Sequence, residues 1–463
     1  MIYEQLFQRA KAETVSAGLI GVGTYGSTLL AQAGHVSRLD VPVICDRDVD
    51  VARHACLKAG VSEEDIVLCS SRSQVLGAIE GQKRAVLADC TLMMDTPLDI
   101  VVECTGNPEA GAHHAQLAIE HGKHVAMVTK ETDAVVGPIL KRLADEAGVV
   151  YTPVDGDQHG LLIGMVSWMR LLGVDVVCGG KARNAEIVYD HKTQAVTNGI
   201  KEVILSEEDM RALRPIQSGE ARTLVDTRRT VLKDFPQIIE YDVCEMVNVA
   251  NATGLMPDTP TLHAPIARIS EIPDVLCPEQ DGGVLHSHGV IDVVNCLRRA
   301  DEAGMGGGVF LVIARTDHHG WRFLTEAGLL TNHDGSCGLV YRPYHLLGME
   351  TPVSLLCAVL LNIPTGGVVV EPKVDLVART VNELKAGSTV TPLDADTALE
   401  PLLLPSSPVG PGSPLPYHLA LGCRLVGDVP AGTTLLSDMI EPPLESQLWA
   451  LRSLQDRVFH HTD

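Results

Sequence analysis

AGLIGVGTYG, residues 17–26, joins a short apolar run to three glycines at the spacing GxGxxG. The apolar run is typical of a buried strand, and the residues that follow the glycines are typical of a helix. In that context Gly21 permits a tight turn, Gly23 lets the backbone approach a pyrophosphate, and Gly26 lets helix and strand pack closely. The stretch predicts a Rossmann-type dinucleotide site whose phosphates face the helix N-terminus.

Asp46 lies at the end of the next predicted strand, 20 residues after Gly26. A carboxylate there can accept hydrogen bonds from the adenine ribose, and it favours NAD because it repels a 2′-phosphate. Arg47 and Arg53 could instead pair with that phosphate, so NAD and NADP both stay open. The other residues expected to contact the cofactor lie in the glycine turn or in loops after later strands: Thr24, Tyr25, Thr105, Gly106, Asn107 and Lys130.

The order of strand-like and helical segments predicts an α/β protein with three domains. Residues 1–153 alternate short apolar runs with helices, which indicates a doubly wound Rossmann sheet. Residues 154–365 are expected to form an α+β domain for substrate binding and dimerisation. Residues 366–463, rich in Pro and Gly turns, are expected to form a small β domain with a terminal helix.

Charge and cysteine usage narrow the class of protein. Acidic residues outnumber basic ones by 59 to 36, for a net charge of -23, which argues against nucleic acid or an anionic membrane as a partner. The twelve cysteines form no Cys-x-x-Cys pair and several lie in apolar runs, as expected for reduced thiols. No secretion signal or spanning segment is recognised, so we expect a cytoplasmic protein, and the central domain favours a homodimer.

Hydride transfer to a carbonyl needs a proton donor beside the reacting oxygen. Lys181 ends an apolar strand-like run after two glycines, which makes it the first candidate. Asp157, Glu245 and Glu131 are alternative acid–base groups. Gln158 and Asn251 are expected to orient the substrate.

Six further segments carry a family resemblance. They are VVECTGNPEAGAHHAQLAIEHGKHV (101–125), VDGDQ (154–158), CGGKAR (178–183), EMVNVANATGL (245–255), YRPYHLLGME (341–350) and the paired glycine turns of 384–390 and 429–435. In these segments and in the GxGxxG turn, the chain resembles the homoserine-dehydrogenase-like oxidoreductases with a C-terminal SAF domain. That group includes deoxyxylulose-phosphate-reductoisomerase-like enzymes. The resemblance implies NAD(P)-dependent chemistry. It also implies that Arg342 binds a phosphate or carboxylate and that His345 hydrogen-bonds to a substrate hydroxyl. Arg183 is a further candidate for an anion site.

A metal requirement stays open at this stage. Ketol isomerisation before reduction usually recruits a divalent ion, and Glu131, Asp133, Asp157 and Glu245 offer oxygen ligands. His286-Ser-His288 adds a possible pair, but no strong ligand spacing appears.

Two classes of function follow from these patterns. The first is an oxidoreductase that acts on a small, polyhydroxylated and anionic carbonyl or alcohol, with deoxyxylulose phosphate as one candidate. The alternative is a non-catalytic sensor that binds a dinucleotide and a carbohydrate. A sensor needs no proton donor in its pocket, so the surroundings of Lys181 discriminate between the two.

Overall fold

The computed structural model describes residues 2–10, 13–393 and 398–460. Its first sheet has seven parallel strands in the order β3-β4-β2-β1-β5-β6-β7. The strands are β1 (Val15–Ile20), β2 (Leu39–Cys45), β3 (Ile66–Leu68), β4 (Arg84–Leu87), β5 (Ile100–Glu103), β6 (His124–Met127) and β7 (Tyr151–Pro153). The predicted Rossmann sheet is confirmed.

Helices cover both faces of this sheet. The helices of this half of the chain are α1 (Ile2–Gln8), α2 (Thr24–Ala33), α3 (Val49–Lys58), α4 (Arg72–Glu80), α5 (Thr91–Met94), α6 (Pro108–Glu120) and α7 (Lys130–Ala147). Helix α8 (Gln158–Leu171) follows β7 and packs on a second sheet. Strand order reverses at β1, which pairs with β2 on one side and β5 on the other. A crevice therefore opens at the carboxyl ends of β1 and β5, where open α/β sheets bind their ligands.

The second sheet has nine strands of mixed direction. They are β8 (Val176–Ala182), β9 (Ile187–Tyr189), β10 (Ala195–Thr197), β11 (Glu202–Ile204), β12 (Met256–Pro257), β13 (Ile266–Ala267), β14 (Val290–Arg299), β15 (Val309–Ala314) and β16 (Cys337–Arg342). The long strand β14 is buried over most of its length and lies between β8 and β9. The α+β character expected for the middle of the chain is present.

Five more helices accompany the second sheet: α9 (Ala221–Val231), α10 (Glu240–Thr253), α11 (Ile272–Val275), α12 (His318–Glu326) and α13 (Thr351–Leu356). Helices α8 and α10 pack against each other and on the sheet, and α10 also packs on α7. Helix α10 ends at Gly254, whose left-handed φ of 74° suits glycine. Helix α13 returns to the first sheet, and its Leu355 and Leu356 share a core with Val15 and Leu29.

The end of the chain forms small antiparallel pairs. Strand β17 (Val374–Thr380) pairs with β18 (Leu399–Pro405), and β19 (Arg424–Leu425) pairs with β20 (Ile440–Glu441). Along the chain, helix α14 (Tyr417–Ala420) lies between β18 and β19, and helix α15 (Gln447–His460) follows β20. The two similar glycine turns meet. Leu384 and Val429 exchange backbone hydrogen bonds at 2.9 and 2.8 Å, and both turn glycines have φ of 77°. The small β domain is confirmed, and its SAF character stays a prediction.

All twelve cysteines are free, and ten are buried, as the sequence predicted for reduced thiols. Among the described helices, none combines the length and the apolar character needed to cross a bilayer.

An ion-pair network holds α15 to the rest of the protein. Arg452 is 1% exposed, and its guanidinium donates to both carboxylate oxygens of Asp375 at 2.7 and 2.8 Å and to Asp456 at 2.8 Å. On the same helix Gln455 donates to the carbonyl of Val135 in α7 at 3.0 Å. The terminal helix therefore connects the C-terminal strands with the Rossmann helices.

Arg452→Met should destabilise the protein strongly, because it leaves two buried carboxylates without their cation. We expect a loss of about 3–5 kcal/mol in the free energy of unfolding, measured by urea denaturation. Arg457→Met, on the exposed side of the same helix, should change it by less than about 0.5 kcal/mol. Similar losses in the two variants would contradict the role given to this network.

Candidate active site

The glycine turn has the geometry that the sequence predicted. Gly21 has φ of 88°, and a Cβ there would lie 2.8 Å from the carbonyl carbon of Cys104. A Cβ on Gly26 would lie 2.2 Å from the carbonyl oxygen of Gly21. A Cβ on Gly23, in contrast, meets no atom within 4 Å. Two glycines are thus needed for packing, whereas the third keeps a space open beside the turn.

That space lies at the start of α2. Gly23 is the N-cap residue and provides no side-chain bond to the first backbone N–H groups, which leaves them available to an anion. Exposed Thr24 begins the helix. The arrangement fits the pyrophosphate of a dinucleotide.

Asp46 lies against the same turn. Its Oδ2 accepts from the backbone N–H of Val22 at 3.1 Å, and its Oδ1 accepts from that of Asp48 at 3.1 Å. Arg47 beside it is exposed, whereas Arg53 forms an ion pair with Glu63. Arg47 is therefore the arginine whose side chain is exposed without an ion pair to any of the described residues, and contact of either Asp46 or Arg47 with a cofactor stays a prediction.

The opposite side of the crevice is built by the loops after β5 and β6. Thr105, Gly106 and Asn107 are exposed there. The Gly106 N–H donates to Thr129 Oγ1 at 2.9 Å, which joins the two loops, and Asn107 caps α6 through the Ala110 N–H at 2.9 Å. These predicted cofactor residues lie at one edge of the sheet, next to the backbone of Cys104 that contacts Gly21.

Tyr25 connects the glycine turn with the loop after β7. Its hydroxyl is 2.7 Å from Thr351 Oγ1 and donates to the carbonyl of Asp155 at 3.4 Å. A Cβ on Gly156 would lie 3.2 Å from this hydroxyl. The loop that carries Asp157 is therefore held beside the dinucleotide turn.

Buried charges converge just beyond that loop. Glu245 of α10 accepts from Lys130 of α7 on one carboxylate oxygen and from Lys181 of β8 on the other, the latter at 2.5 Å. Lys181 also lies 2.8 Å from Asp242 Oδ1, and the other oxygen of Asp242 accepts from Arg183 at 2.8 Å. Three segments distant in sequence thus share one ion-pair cluster, which includes four of the predicted site residues: Lys130, Lys181, Arg183 and Glu245.

The charge state of Glu245 follows from this geometry. Burial alone would raise its pKa, but Lys130 and Lys181 lower it to about 2, so the carboxylate stays ionised. Burial lowers the pKa of Lys130, but the carboxylates around it, Glu245 foremost, together raise that pKa well above its usual value. The two lysine side chains differ in exposure, since that of Lys130 is 18% exposed and that of Lys181 is 1% exposed. Lys130 therefore lies on the open side of the carboxylate.

His159 also belongs to this site, although sequence reasoning missed it. The side chain is fully buried, its Nδ1 lies 3.8 Å from Asp157 Oδ2, and neither ring nitrogen has a hydrogen-bond partner. Burial is the main cause that lowers its pKa, which keeps the ring neutral. Its place two residues after Asp157, at the start of α8, was the available signal.

The same group of side chains could in principle hold a metal ion. Asp157, His159 and Glu245 each offer a ligand atom, and these atoms lie within 4.8 Å of one another. However, both oxygens of Glu245 already accept from ammonium groups, and a divalent ion would be placed beside two cations. The residues as arranged do not fit a metal ion.

Other predicted substrate residues lie outside this cluster. Asn251 is directed toward the C-terminal strands, where its Oδ1 accepts from the backbone N–H groups of Lys373 and Val374 at 2.8 and 3.0 Å. Gln158 donates to the carbonyls of Ala182 and Gly308 at 3.0 and 3.1 Å. These contacts use the side chains to hold backbone segments, and substrate contact by either residue stays a prediction.

Arg342, His345 and Glu131 also have protein partners or charged neighbours. Arg342 forms an ion pair with Glu350 at 2.5 Å, and His345 Nδ1 lies 2.6 Å from the carbonyl oxygen of Gly307. Burial raises the pKa of Glu131, which Lys130 opposes. Glu131 therefore lies near the cluster, but on the side that faces Glu240 and His418.

A glycine turn, a helix N-terminus without a side-chain cap and a carboxylate after the second strand together are typical of a nucleotide-binding Rossmann fold. Residues 239–351 match the family described as the catalytic domain of oxidoreductase DRL. The matched segment is less than half of the chain, and it contains Asp242, Glu245 and Arg342 but not the glycine turn. The match supports the oxidoreductase class expected from the sequence. No curated protein matches the chain.

Several solved structures match parts of this chain at low identity. A probable dehydrogenase from Thermotoga maritima is 13% identical over 77% of this chain and 91% of that chain, with a TM-score of 0.36. An NAD-binding oxidoreductase from Klebsiella pneumoniae is 16% identical over 38% and 46%, with a TM-score of 0.27. The WlbA dehydrogenase from Bordetella pertussis, solved with NADH and UDP-GlcNAcA, is 16% identical over 39% and 49%, with a TM-score of 0.27. The chain spans about half the length of these last two proteins, and likeness at such scores carries no argument about function.

Glu245→Gln should destabilise the protein, since it removes the carboxylate paired with Lys130 and one of the two carboxylates paired with the buried ammonium group of Lys181. At pH 7 we expect a loss of about 3–5 kcal/mol in the free energy of unfolding. Because the folded pKa of about 2 lies below the usual value of 4.5, the carboxylate stabilises the fold above pH 4.5, and this stabilisation is lost as pH falls toward 2.

Urea denaturation at pH 7 and at about pH 3 measures the effect. The difference between wild type and Glu245→Gln should be smaller at the lower pH. Glu207→Gln, an exposed control, should show no such trend. A difference that does not depend on pH would contradict the charge state given to Glu245.

Proposed function

We propose that the protein is an NAD(P)-dependent oxidoreductase that interconverts a small polyhydroxylated carbonyl compound and the corresponding alcohol. The observation that carries this proposal is the buried carboxylate of Glu245 with a lysine on each oxygen, set beside the Asp155–Asp157 loop that contacts the glycine turn. A protein that only senses a dinucleotide has no need for proton donors buried in this position.

The cofactor and the residues of the cluster have different roles in the proposed reaction. When bound, the nicotinamide supplies or accepts the hydride. In the direction of reduction, the substrate oxygen gains one proton as the carbonyl carbon gains the hydride, and a lysine ammonium supplies that proton. Glu245 stays ionised, so it holds the ammonium groups rather than donating a proton itself. His159 is neutral and has no hydrogen-bond partner, so it leaves the charge balance of Glu245 and the two lysines unchanged.

Two lysines qualify as the donor. Lys181 is the residue that the sequence indicated, and it is held by Glu245 and Asp242. Lys130 follows directly on Thr129, whose hydroxyl contacts the loop after β5, and its side chain is the more exposed. We therefore assign the proton to the pair, with Lys130 on the side of the crevice and Lys181 on the side of the second sheet.

The substrate's charge is a finer part of the proposal. Arg183 and Arg342 are the predicted anion partners, yet each already pairs with a carboxylate, Asp242 and Glu350 respectively. Arg342 is the more exposed, so a substrate phosphate or carboxylate would replace Glu350 on its guanidinium. A reductoisomerase-like reaction on deoxyxylulose phosphate is the candidate that combines these features, and it rests on the family resemblance.

Gly23→Val should abolish dinucleotide binding while the protein stays folded, because the added side chain enters the open space beside the turn. The dissociation constants of NADH and NADPH, measured by fluorescence titration, check this, with circular dichroism as the test of folding. Gly77→Val in α4 also places its Cβ where no atom lies within 4 Å, and it should bind as wild type does. Normal affinity in folded Gly23→Val would remove the proposed cofactor site.

Lys181→Met should lower kcat by about 100-fold or more, the usual contribution of a general acid, with cofactor affinity unchanged. Lys130→Met is the companion variant, and a larger loss there would make Lys130 the donor and Lys181 a positioning residue. Exposed Lys192→Met serves as the control. The assay follows cofactor absorbance with sugar phosphates, sugar acids and hydroxy amino acids. Dinucleotide binding without turnover of any of them would favour the sensor class.

A further inference from the structure

A second group of metal-ligating side chains lies on α10, apart from the Glu245 cluster. Glu240 and Cys244 are four residues apart and so share one face of the helix, and His418 of α14 meets them from the C-terminal region. One ligand atom from each residue lies within 4.8 Å of the others. Cys244 and His418 are buried, and Glu240 is half-buried.

The imidazole of His418 is incompletely satisfied in its buried position. Its Nε2 lies 2.7 Å from Glu240 Oε1, which directs that nitrogen into the group. Its Nδ1 is also buried and has no hydrogen-bond partner. A buried imidazole that uses one nitrogen on a carboxylate, with a thiol beside it, resembles a metal ligand more than an ordinary core histidine.

The chemical types of the ligand atoms indicate which metal fits this site. A thiol sulfur, an imidazole nitrogen and a carboxylate oxygen are the ligands of zinc, whereas Mg²⁺ and Ca²⁺ prefer oxygen alone. Zinc bonds of about 2.0–2.3 Å in a tetrahedron place ligand atoms roughly 3.3–3.8 Å apart. Binding would therefore separate His418 Nε2 from Glu240 Oε1, now 2.7 Å apart, and would draw in any ligand atom that lies farther away, within the 4.8 Å limit of the group. Unlike Glu245, Glu240 has no lysine on its carboxylate among the described contacts.

Glu131 lies near these three residues but outside the group whose ligand atoms come within 4.8 Å of one another, so it would have to move closer to become a fourth ligand. It is half-buried at the start of α7, and its charge interacts with those of both His418 and Glu240. With it the set becomes one sulfur, one nitrogen and two carboxylates, a closed set with no position for substrate.

We propose that Glu240, Cys244 and His418, with Glu131, bind one zinc ion as a structural site. The ion joins α14 to α10 and α7, the two helices that carry Glu245 and Lys130. It would fix the C-terminal region against the proposed catalytic cluster, and it takes no part in hydride transfer.

The test uses the full chain, freed of metal by a chelator and then dialysed against zinc sulfate. Elemental analysis should give one zinc per chain, and zinc should raise the melting temperature, because a ligand bound only to the folded state stabilises it. Cobalt in place of zinc should give the near-ultraviolet absorption of a thiolate bound to Co²⁺. Cys244→Ser and His418→Asn should each lower zinc affinity by at least about tenfold and abolish the rise in melting temperature.

Two control variants distinguish zinc bound at this site from zinc bound elsewhere on the chain. Cys423→Ser, in the same region, and His159→Asn, in the Glu245 cluster, should bind zinc as wild type does. The metal-free melting temperatures identify any variant that fails to fold, and Glu240→Gln then replaces it. The proposal is overturned if wild type binds no zinc, if both ligand variants keep it, or if His159→Asn alone loses it.

Discussion

A single carboxylate determines how the parts of this protein meet. Glu245 is buried in α10 and receives one ammonium group from the Rossmann half, Lys130, and one from the second sheet, Lys181. An unpaired charge in this position would cost several kcal/mol, so each half of the molecule is most stable when the other is docked. The orientation of α10, and of the crevice that it borders, follows from that requirement.

Such pairs rarely add net stability compared with apolar residues of similar size, because desolvation of the ions offsets their attraction. Their value is in specificity of arrangement and in chemistry. A carboxylate that stays ionised holds two ammonium groups at fixed positions in a region from which water is largely excluded. The ion pairs that fix how these elements pack therefore also hold the lysine ammonium groups where they can donate a proton to a substrate oxygen.

Local patterns were enough to predict the dinucleotide turn, since Gly21, Gly23 and Gly26 act through backbone geometry that depends on near neighbours. Contacts between residues remote in sequence were harder to predict. Lys181 and Glu245 were both predicted as site residues, but no local pattern indicates that two residues 64 positions apart form an ion pair. Asn251 was predicted to face substrate from its helical position, yet the neighbour it meets, Lys373, belongs to a segment whose placement depends on the whole fold.

The return of α13 to the first sheet affects how the protein folds while it is being synthesised. Leu355 and Leu356 complete a core that begins with Val15 and Leu29, and Thr351 hydrogen-bonds to Tyr25 in the glycine turn. A ribosome synthesises the amino-terminal strands long before these residues emerge, so the nascent Rossmann sheet carries an uncovered apolar flank during much of translation. Such exposed surface is what chaperones bind and what drives aggregation. The nucleotide pocket is thus completed late, by residues from the last third of the polypeptide.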